Sequence, residues 1–487
     1  MEIVVNGFGG KTVMGLVGEL AAADWIDRIY WIHDDSQLIE CQIHGKIFHI
    51  DHVVALRYDT TSLPKVDGTT VWTDEILKLY EQLKPTIIKM QERLDRYGPL
   101  RSYAQREKTY RQLFGYWFDF LVERRIAYFI GNNVPHEITD FIIAELCRTL
   151  GIPTLCFYQW TPDVLLPVSN YRDLGDQTTR PFSPLSPSNQ ALIHQNYLRI
   201  EQQQRGGLGA RLFYMDKRKV KRQSDQQREH WRQRVKRKIR ANYGGLFSFS
   251  GLRYAYYLLV EKPFVRVWKD RRYHKEYCSY SNPAPDLSLP YIYLALHYQP
   301  EATTSPLGGM FVDQYLMVDV LLAAYPPEVH IYIKEHPAQG WVGRYQGYHK
   351  LFASGGGRAQ FVSTEFSSDK LQRSALAVAT VSGTVGFESI WKGTPVLHFG
   401  EAYYGGGPHV YRIRSIEEGR ISAQKVMQLE EEDPRSRATE FTERLLMRAL
   451  PANGSDYYHQ NSILGLDAAH SKGVILQEIL ARLTSVL

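Results

Sequence analysis

Three short segments in the second half of the chain gather the residue types that handle phosphate and sugar chemistry. Ser382-Gly383-Thr384 runs straight into an apolar helical pattern, and Glu388 follows one turn later. Such a junction presents hydroxyls, a glycine that permits close approach, and the N–H groups of a helix start, where roughly half a positive charge favours an anion. A nucleotide phosphate fits that end, and Glu388 is placed to accept ribose hydroxyls. The same residues also read as an ordinary N-cap followed by a surface carboxylate. Lys334-Glu335-His336-Pro337 closes a strand pattern with a cation, a carboxylate and an imidazole. Pro337 keeps His336 extended, and an imidazole is suited to donate to a phosphate or a leaving-group oxygen. The third segment, His297 to Gly309, contains Gln299-Pro300-Glu301.

The first half offers an acceptor-side counterpart. His136, Glu137 and Asp140 stand between a strand pattern and a helix pattern and are the acid/base candidates there; Asp and Glu also stabilise helix starts without any catalysis. Gly7, Gly9 and Gly10 follow the first strand and permit a tight turn beside an acceptor. Gly10-Lys11-Thr12 imitates the end of a phosphate-binding P-loop, but the glycine that motif requires earlier is Val5, which excludes an NTPase reading. Lys217 to Arg240 holds twelve Lys or Arg against Asp225 and Glu229, with Trp231 among them. A solvated helix face accounts for such a run, and so does contact with an anionic membrane that carries lipid-linked acceptors. Nucleic acid is not expected as a partner, because no nucleic-acid motif accompanies the charges.

K-E-H-P at 334 to 337 and S-G-T-V-G-F-E-S-I-W-K-G-T-P-V-L at 382 to 397 resemble the bacterial capsule-polysaccharide synthesis glycosyltransferases, which include β-Kdo transferases. They are also similar to the His-Pro and Ser/Thr motifs of bacterial sialyltransferases. The resemblance covers mainly Tyr291 to Tyr404. It implies a GT-B fold and a CMP-activated acidic sugar such as Kdo as donor. The donor nucleotide would be held around Gln299, Lys334, Pro337, Ser382, Gly383, Thr384 and Glu388, with His336 beside it. It further implies a nucleophilic carboxylate some thirty residues before the His-Pro motif; Glu301 stands in that region, where the family usually has Asp. Two rival readings share the fold: a UDP-sugar 2-epimerase, and a catalytically inactive GT-B scaffold of a capsule-export complex.

The elements that must position these residues alternate in type. Ile3 to Val5, a helical run through Val13, Leu16, Val17 and Leu20, and Arg28 to His33 make a β-α-β opening. Ile126 to Ile130, a helix Ile138 to Leu150 stopped by Gly151, and Ile152 to Tyr158 repeat it. Long helical patterns at Thr73 to Arg96 and Ser102 to Arg124 are insertions. Ser279 to Pro290 reads as a linker. Strands then fall at Tyr291 to Leu296, Val329 to Lys334, Gln360 to Ser363, Leu376 to Val381 and Pro395 to Phe399, with helices Phe311 to Tyr325, Ser368 to Ser374 and Val385 to Lys392 between them. The fold class expected is α/β, with two Rossmann-like doubly wound domains facing across a cleft. Their expected bounds are 1–285 for acceptor, 286–437 for donor, and 438–487 for helices packing back on the junction. Ligands of such sheets lie beyond the C-terminal strand ends, where all three chemical segments fall.

At 487 residues, 44% hydrophobic and 13% aromatic, the chain supports two cores and excludes disordered or fibrous classes. Cys41, Cys147, Cys156 and Cys278 show no C-x-x-C pairing and read as buried free thiols. No stretch approaches the roughly 20 apolar residues that span a bilayer, and the chain opens on a strand, so a cytoplasmic, at most peripheral, location is expected. No clustered ligand motif or D-x-D pattern is present, so neither metal nor cofactor is expected beyond the nucleotide sugar.

Overall fold

The computed structural model describes residues 1–33, 45–51, 63–94, 102–205, 264–299, 301–341, 343–344, 347–429 and 433–487. Cys41 and the basic run Lys217 to Arg240 lie outside them. Two sheets carry the fold. The first has the order β3-β2-β1-β4-β5-β6, from β1 (Glu2–Asn6), β2 (Arg28–His33), β3 (Ile47–Asp51), β4 (Tyr128–Gly131), β5 (Thr154–Thr161) and β6 (Val164–Val168). It is parallel except for β6, which returns antiparallel beside β5 and is absent from the sequence-based expectation. Ile3, Val4 and Val5 are fully buried, as expected of a central strand covered on both faces.

Helices α1 (Leu16–Ala21), α2 (Asp74–Leu94), α3 (Tyr103–Glu123), α4 (Ile138–Leu150) and α5 (Pro187–Arg205) belong to this half. One face of the sheet packs beneath α2, α3 and α4 through Tyr80, Tyr110, Trp117, Phe120 and Ile142. The other face packs under α1 and a helix from the end of the chain through Leu16, Leu20, Ile475 and Ile479. Gly151 ends α4 in the left-handed conformation, φ 70°.

The second sheet has the order β13-β12-β11-β8-β9-β10-β7. Its strands are β7 (Ser281–Asn282), β8 (Tyr291–Ala295), β9 (His330–Lys334), β10 (Ala359–Val362), β11 (Ala377–Thr380), β12 (Val396–His398) and β13 (Val410–Arg412), and every pairing is parallel. Its helices are α6 (Arg266–Tyr280), α7 (Tyr315–Ala324), α8 (Ser368–Ser374), α9 (Thr384–Lys392) and α10 (Ile416–Met427). The expected linker is not one throughout. Ser281 pairs with Phe361 as an edge strand, and Tyr277 of α6 is buried with its hydroxyl donating to Val362 O at 2.5 Å. This sheet therefore starts ahead of residue 286, held by aromatic burial that a Pro- and Ser-rich composition does not reveal. The helix expected over Phe311 to Tyr325 is also interrupted. A 3-10 turn at Gly309–Val312 precedes α7, because the buried Gln314 side chain turns back to accept from His297 N at 2.7 Å.

The chain ends with α11 (Pro434–Leu446), α12 (Asp456–His459) and α13 (Ala468–Thr484). Helix α11 touches α9 of the second sheet and α5 of the first, and α13 lies on α1. Cys147 and Cys156 are buried, whereas Cys278 is exposed, since α6 turns that side away from the sheet. Among the described residues no helix is long and apolar enough to cross a membrane.

Candidate active site

Strands β11, β8 and β9 are neighbours, all parallel, with Ala379 opposite Leu294 and Ala295 opposite Lys334. The segments that follow them carry Ser382, Glu301 and His336, so strand order alone brings the three loops to one edge of the sheet. His297, which the sequence reading did not single out, ties them together. It is 7% exposed. Its Nε2 accepts from Ser382 N at 3.1 Å and lies 2.9 Å from Thr380 Oγ1, while Nδ1 lies 3.4 Å from Thr303 Oγ1. Burial drives its pKa down to about 3, and repulsion from His336, when that ring is protonated, and from Arg344 adds to the effect. The ring is neutral, with its proton on Nδ1.

His336 is held in the opposite tautomer. Its Nδ1 accepts from Ala338 N at 3.2 Å, which leaves the proton on Nε2. Burial lowers its pKa against the opposing pull of Glu335, so the neutral ring is a hydrogen-bond donor through Nε2. The Tyr298 ring centroid lies 5.9 Å away.

Glu301 sits on the surface of its turn. Its carbonyl accepts from Thr304 N at 3.2 Å, Ser305 N at 3.0 Å and Thr304 Oγ1 at 2.9 Å, and one carboxylate oxygen accepts from Thr303 Oγ1 at 3.1 Å. Helix α9 begins after Gly383 without a side-chain cap. Ser382 is turned inward, its hydroxyl donating to Thr303 O at 2.9 Å. The half-buried Gly383 and Thr384 thus form the accessible part of the helix start. Tyr404 donates to Gly383 O at 2.7 Å and fixes this end. Burial raises the pKa of Glu388 against the pull of Lys392.

Two residues expected to meet the donor, Gln299 and Lys334, are occupied elsewhere, as is the adjacent Glu335. Gln299 is buried, donating to Val312 O at 2.5 Å while its carbonyl oxygen takes Arg344 Nη1. Lys334 directs Nζ to Phe366 O at 2.6 Å and Ser368 Oγ at 2.7 Å, and burial lowers its pKa to about 8. Glu335 pairs with Arg344 through two bonds of 3.0 Å and accepts from Tyr273 at 2.6 Å. Burial pushes the Glu335 pKa up, and Arg344 more than offsets it, for a net lowering. Arg344 also donates to His297 O at 2.9 Å. A buried ion pair with this many partners fixes loops against one another; one partner removed alone leaves an uncompensated charge. Gln299, Lys334 and Glu335 therefore build the frame of the loops, while His336 and its neighbour Pro337 face outward from it.

On the first sheet, Gly7 adopts φ 85°, and a Cβ there would fall 2.3 Å from the Asn132 side chain; at Gly9 it would fall 1.8 Å from the His33 ring. The glycines admit these side chains to the strand ends. Beside Gly10, Asp456 of α12 accepts from Thr12 N and Thr12 Oγ1, both at 2.8 Å. Residues near the end of the chain thereby pack beside the glycine turn that follows β1. His33, Asn132 and Asp456 were missed by sequence reasoning, and only the position of His33 at a strand end hints at them. His136 Nδ1 lies 3.2 Å from Val134 O and 3.5 Å from Asp140 Oδ2. Asp140 accepts from His136 N at 3.2 Å and Glu137 N at 2.8 Å, and burial raises its pKa to about 6. Glu137 is the N-cap of α4. Asp140 and Glu137 thus serve the helix start, and Asp140 also backs the His136 ring.

Two doubly wound, parallel-rich sheets define a GT-B-type fold. A family model described as "Capsule polysaccharide biosynthesis protein" matches residues 307–408, so this stretch of the chain is similar to that family. The matched stretch contains His336 and Ser382 to Glu388 and begins after Glu301. Solved structures similar to the chain include the β-Kdo 2,4 transferase of Thermosulfurimonas dismutans KpsC, at 13% identity over 61% of this chain and 79% of that one, TM-score 0.27. The β-Kdo 2,7 transferase of the same KpsC is similar at 17% identity over 34% of this chain and 55% of that one, TM-score 0.21; the match spans about half of its length. Anabaena Alr3699/HepE in complex with UDP and glucose is similar at 13% identity over 100% of both chains, TM-score 0.26. No curated protein matches the sequence.

Proposed function

We propose that the chain is a glycosyltransferase of bacterial surface-polysaccharide synthesis that moves an acidic ulosonic sugar such as Kdo from a CMP-activated donor to a glycan or lipid-linked acceptor. The observation that carries this reading is the meeting of a carboxylate, a donor imidazole and an uncapped helix start on the adjacent strands β8, β9 and β11. The helix start and the His336 Nε2–H stabilise the phosphate as it takes the bonding electron pair and departs. Glu301 attacks the anomeric carbon from the opposite side and forms a glycosyl ester. An acceptor hydroxyl then displaces Glu301, giving its proton to His136, and two inversions yield net retention. Protein groups alone neutralise the leaving phosphate in this scheme, so it calls for no metal. The protein works on the inner face of the membrane, where Lys217 to Arg240 meets anionic lipid.

The purified protein should release CMP from CMP-Kdo in the presence of acceptor and leave UDP-N-acetylglucosamine untouched. Glu301→Gln should lose transfer by on the order of a thousand-fold at unchanged melting temperature, and intact mass should show one sugar on the wild type. His336→Asn keeps the acceptor for Ala338 N–H but removes the Nε2–H, for an expected loss of roughly a hundred-fold. Turnover of the UDP sugar with inversion at C2, or full activity of Glu301→Gln, refutes the reading.

A further inference from the structure

The loop that bears Glu301 is joined to the start of α9 by a chain of hydrogen bonds with one consistent direction. Ser382 N–H donates to His297 Nε2 at 3.1 Å. With Nε2 accepting, the ring proton resides on Nδ1 and points at Thr303 Oγ1, 3.4 Å away. The Thr303 hydroxyl, its lone pair so engaged, gives its own hydrogen to a Glu301 carboxylate oxygen at 3.1 Å. A second tie runs alongside, from Ser382 Oγ to Thr303 O at 2.9 Å. The middle of the chain is rigid. His297 is buried, and its backbone carbonyl accepts from Arg344 and its backbone N–H donates to Gln314.

We propose that His297 and Thr303 are positioning residues that hold the Glu301 carboxylate in line for attack and link its alignment to the donor-facing turn Ser382 to Thr384. Each hydrogen stays on its own donor, so no proton is moved. What passes along the chain is orientation: a shift of Ser382 when a nucleotide phosphate meets the helix start displaces Nε2, then Nδ1, then the threonine hydroxyl. A carboxylate on an exposed turn samples several rotamers, and a donor fixed from the interior selects one of them. Misplacement of a reacting group by about 1 Å costs large factors in rate, which is the scale on which such a tether acts.

The inference rests on the reading of Glu301 as nucleophile. Thr303→Val keeps the shape of the side chain and removes the donated hydrogen; Thr303→Ser keeps the hydrogen. With CMP-Kdo as donor, Thr303→Val is expected to slow formation of the sugar adduct on the enzyme about tenfold, the effect of losing one hydrogen bond to a charged group. The donor KM should be unchanged, and Thr303→Ser should return the rate to within about threefold of wild type. A Thr303→Val enzyme as fast as wild type, beside an inactive Glu301→Gln, overturns the tether and leaves the nucleophile standing. Equal losses in the Val and Ser variants likewise overturn it, since a structural role would not distinguish them. Full activity of Glu301→Gln removes the nucleophile itself.

Discussion

His297 and His336 stand at the ends of neighbouring strands, yet the backbone holds them in opposite tautomers, so one organises and the other faces outward. Another buried imidazole, His398, sits at the end of β12 with Nδ1 2.8 Å from Gly400 O, and burial lowers its pKa to about 4. His297 and His398 carry a cost in acid. The unfolded chain takes up their protons near pH 6.5, whereas the folded chain refuses them until about pH 3 and about pH 4. Folded pKa values below the unfolded ones mean that stability is full above pH 6.5 and drains away as pH falls through that window. At pH 5 each ring costs roughly 2 kcal/mol. His398→Asn preserves the donor to Gly400 and cannot be protonated, so its urea unfolding free energy should fall by about 2 kcal/mol less than wild type between pH 7 and pH 5. Parallel losses in the two proteins would count against burial as the source of the acid sensitivity.

At the level of elements, the least regular piece of the chain is among the most firmly held. The segment between α11 and α13 has little helix, but the buried Asp163 gathers it. Its carboxylate accepts from Asn453 Nδ2 at 2.7 Å, Ser462 Oγ at 2.6 Å, Ile463 N at 2.7 Å and Leu464 N at 2.9 Å. Asp163→Ala leaves several donors without a partner at about 1–3 kcal/mol each before relaxation. Amide exchange over 453–466 should therefore accelerate strongly while β8, β9 and β11 remain protected. This organisation lies beyond the sequence pattern. Apolar runs ending at Lys334 or Val381, and Gly151 after a helix, are legible because strand burial and helix termination are local. His336 and Ser382 to Thr384 are legible for the same reason, as they sit where those runs stop. Asp163 and Asn453 are 290 residues apart, and the Arg344 that occupies Gln299 and Glu335 has no periodic signature. Their partners are chosen by how the chain assembles, so Gln299 and Lys334 read as ligands from sequence, whereas in the fold the Gln299 amide and the Lys334 ammonium are hydrogen-bonded within the protein.

In the whole molecule, two of the contacts that join the sheets differ in strength. Lys89 of α2 pairs with Asp313 at the turn before α7; both side chains are about a third exposed, 31% and 36%, and such pairs contribute about 0–1 kcal/mol. The other contact is aromatic. Trp160 and Tyr158 of β5 meet Phe387 of α9 and Tyr403, with the Trp160 ring centroid 5.1 Å from Phe387 and 5.2 Å from Tyr403. Apolar burial of this size outweighs the ion pair several-fold. It also bears on the donor side, because Phe387 lies one turn inside the helix whose start is fixed by Tyr404, the neighbour of Tyr403. Trp160→Ala should then lower unfolding free energy by about 3 kcal/mol, whereas Lys89→Ala should change it by less than about 1 kcal/mol. The two variants should separate in activity as well. Loss of Trp160 frees α9 to shift against β5 and should raise the donor KM; loss of Lys89 should leave it unchanged. Matching denaturation curves and donor titrations for the two variants would show that the aromatic contact does not couple the sheets to the site.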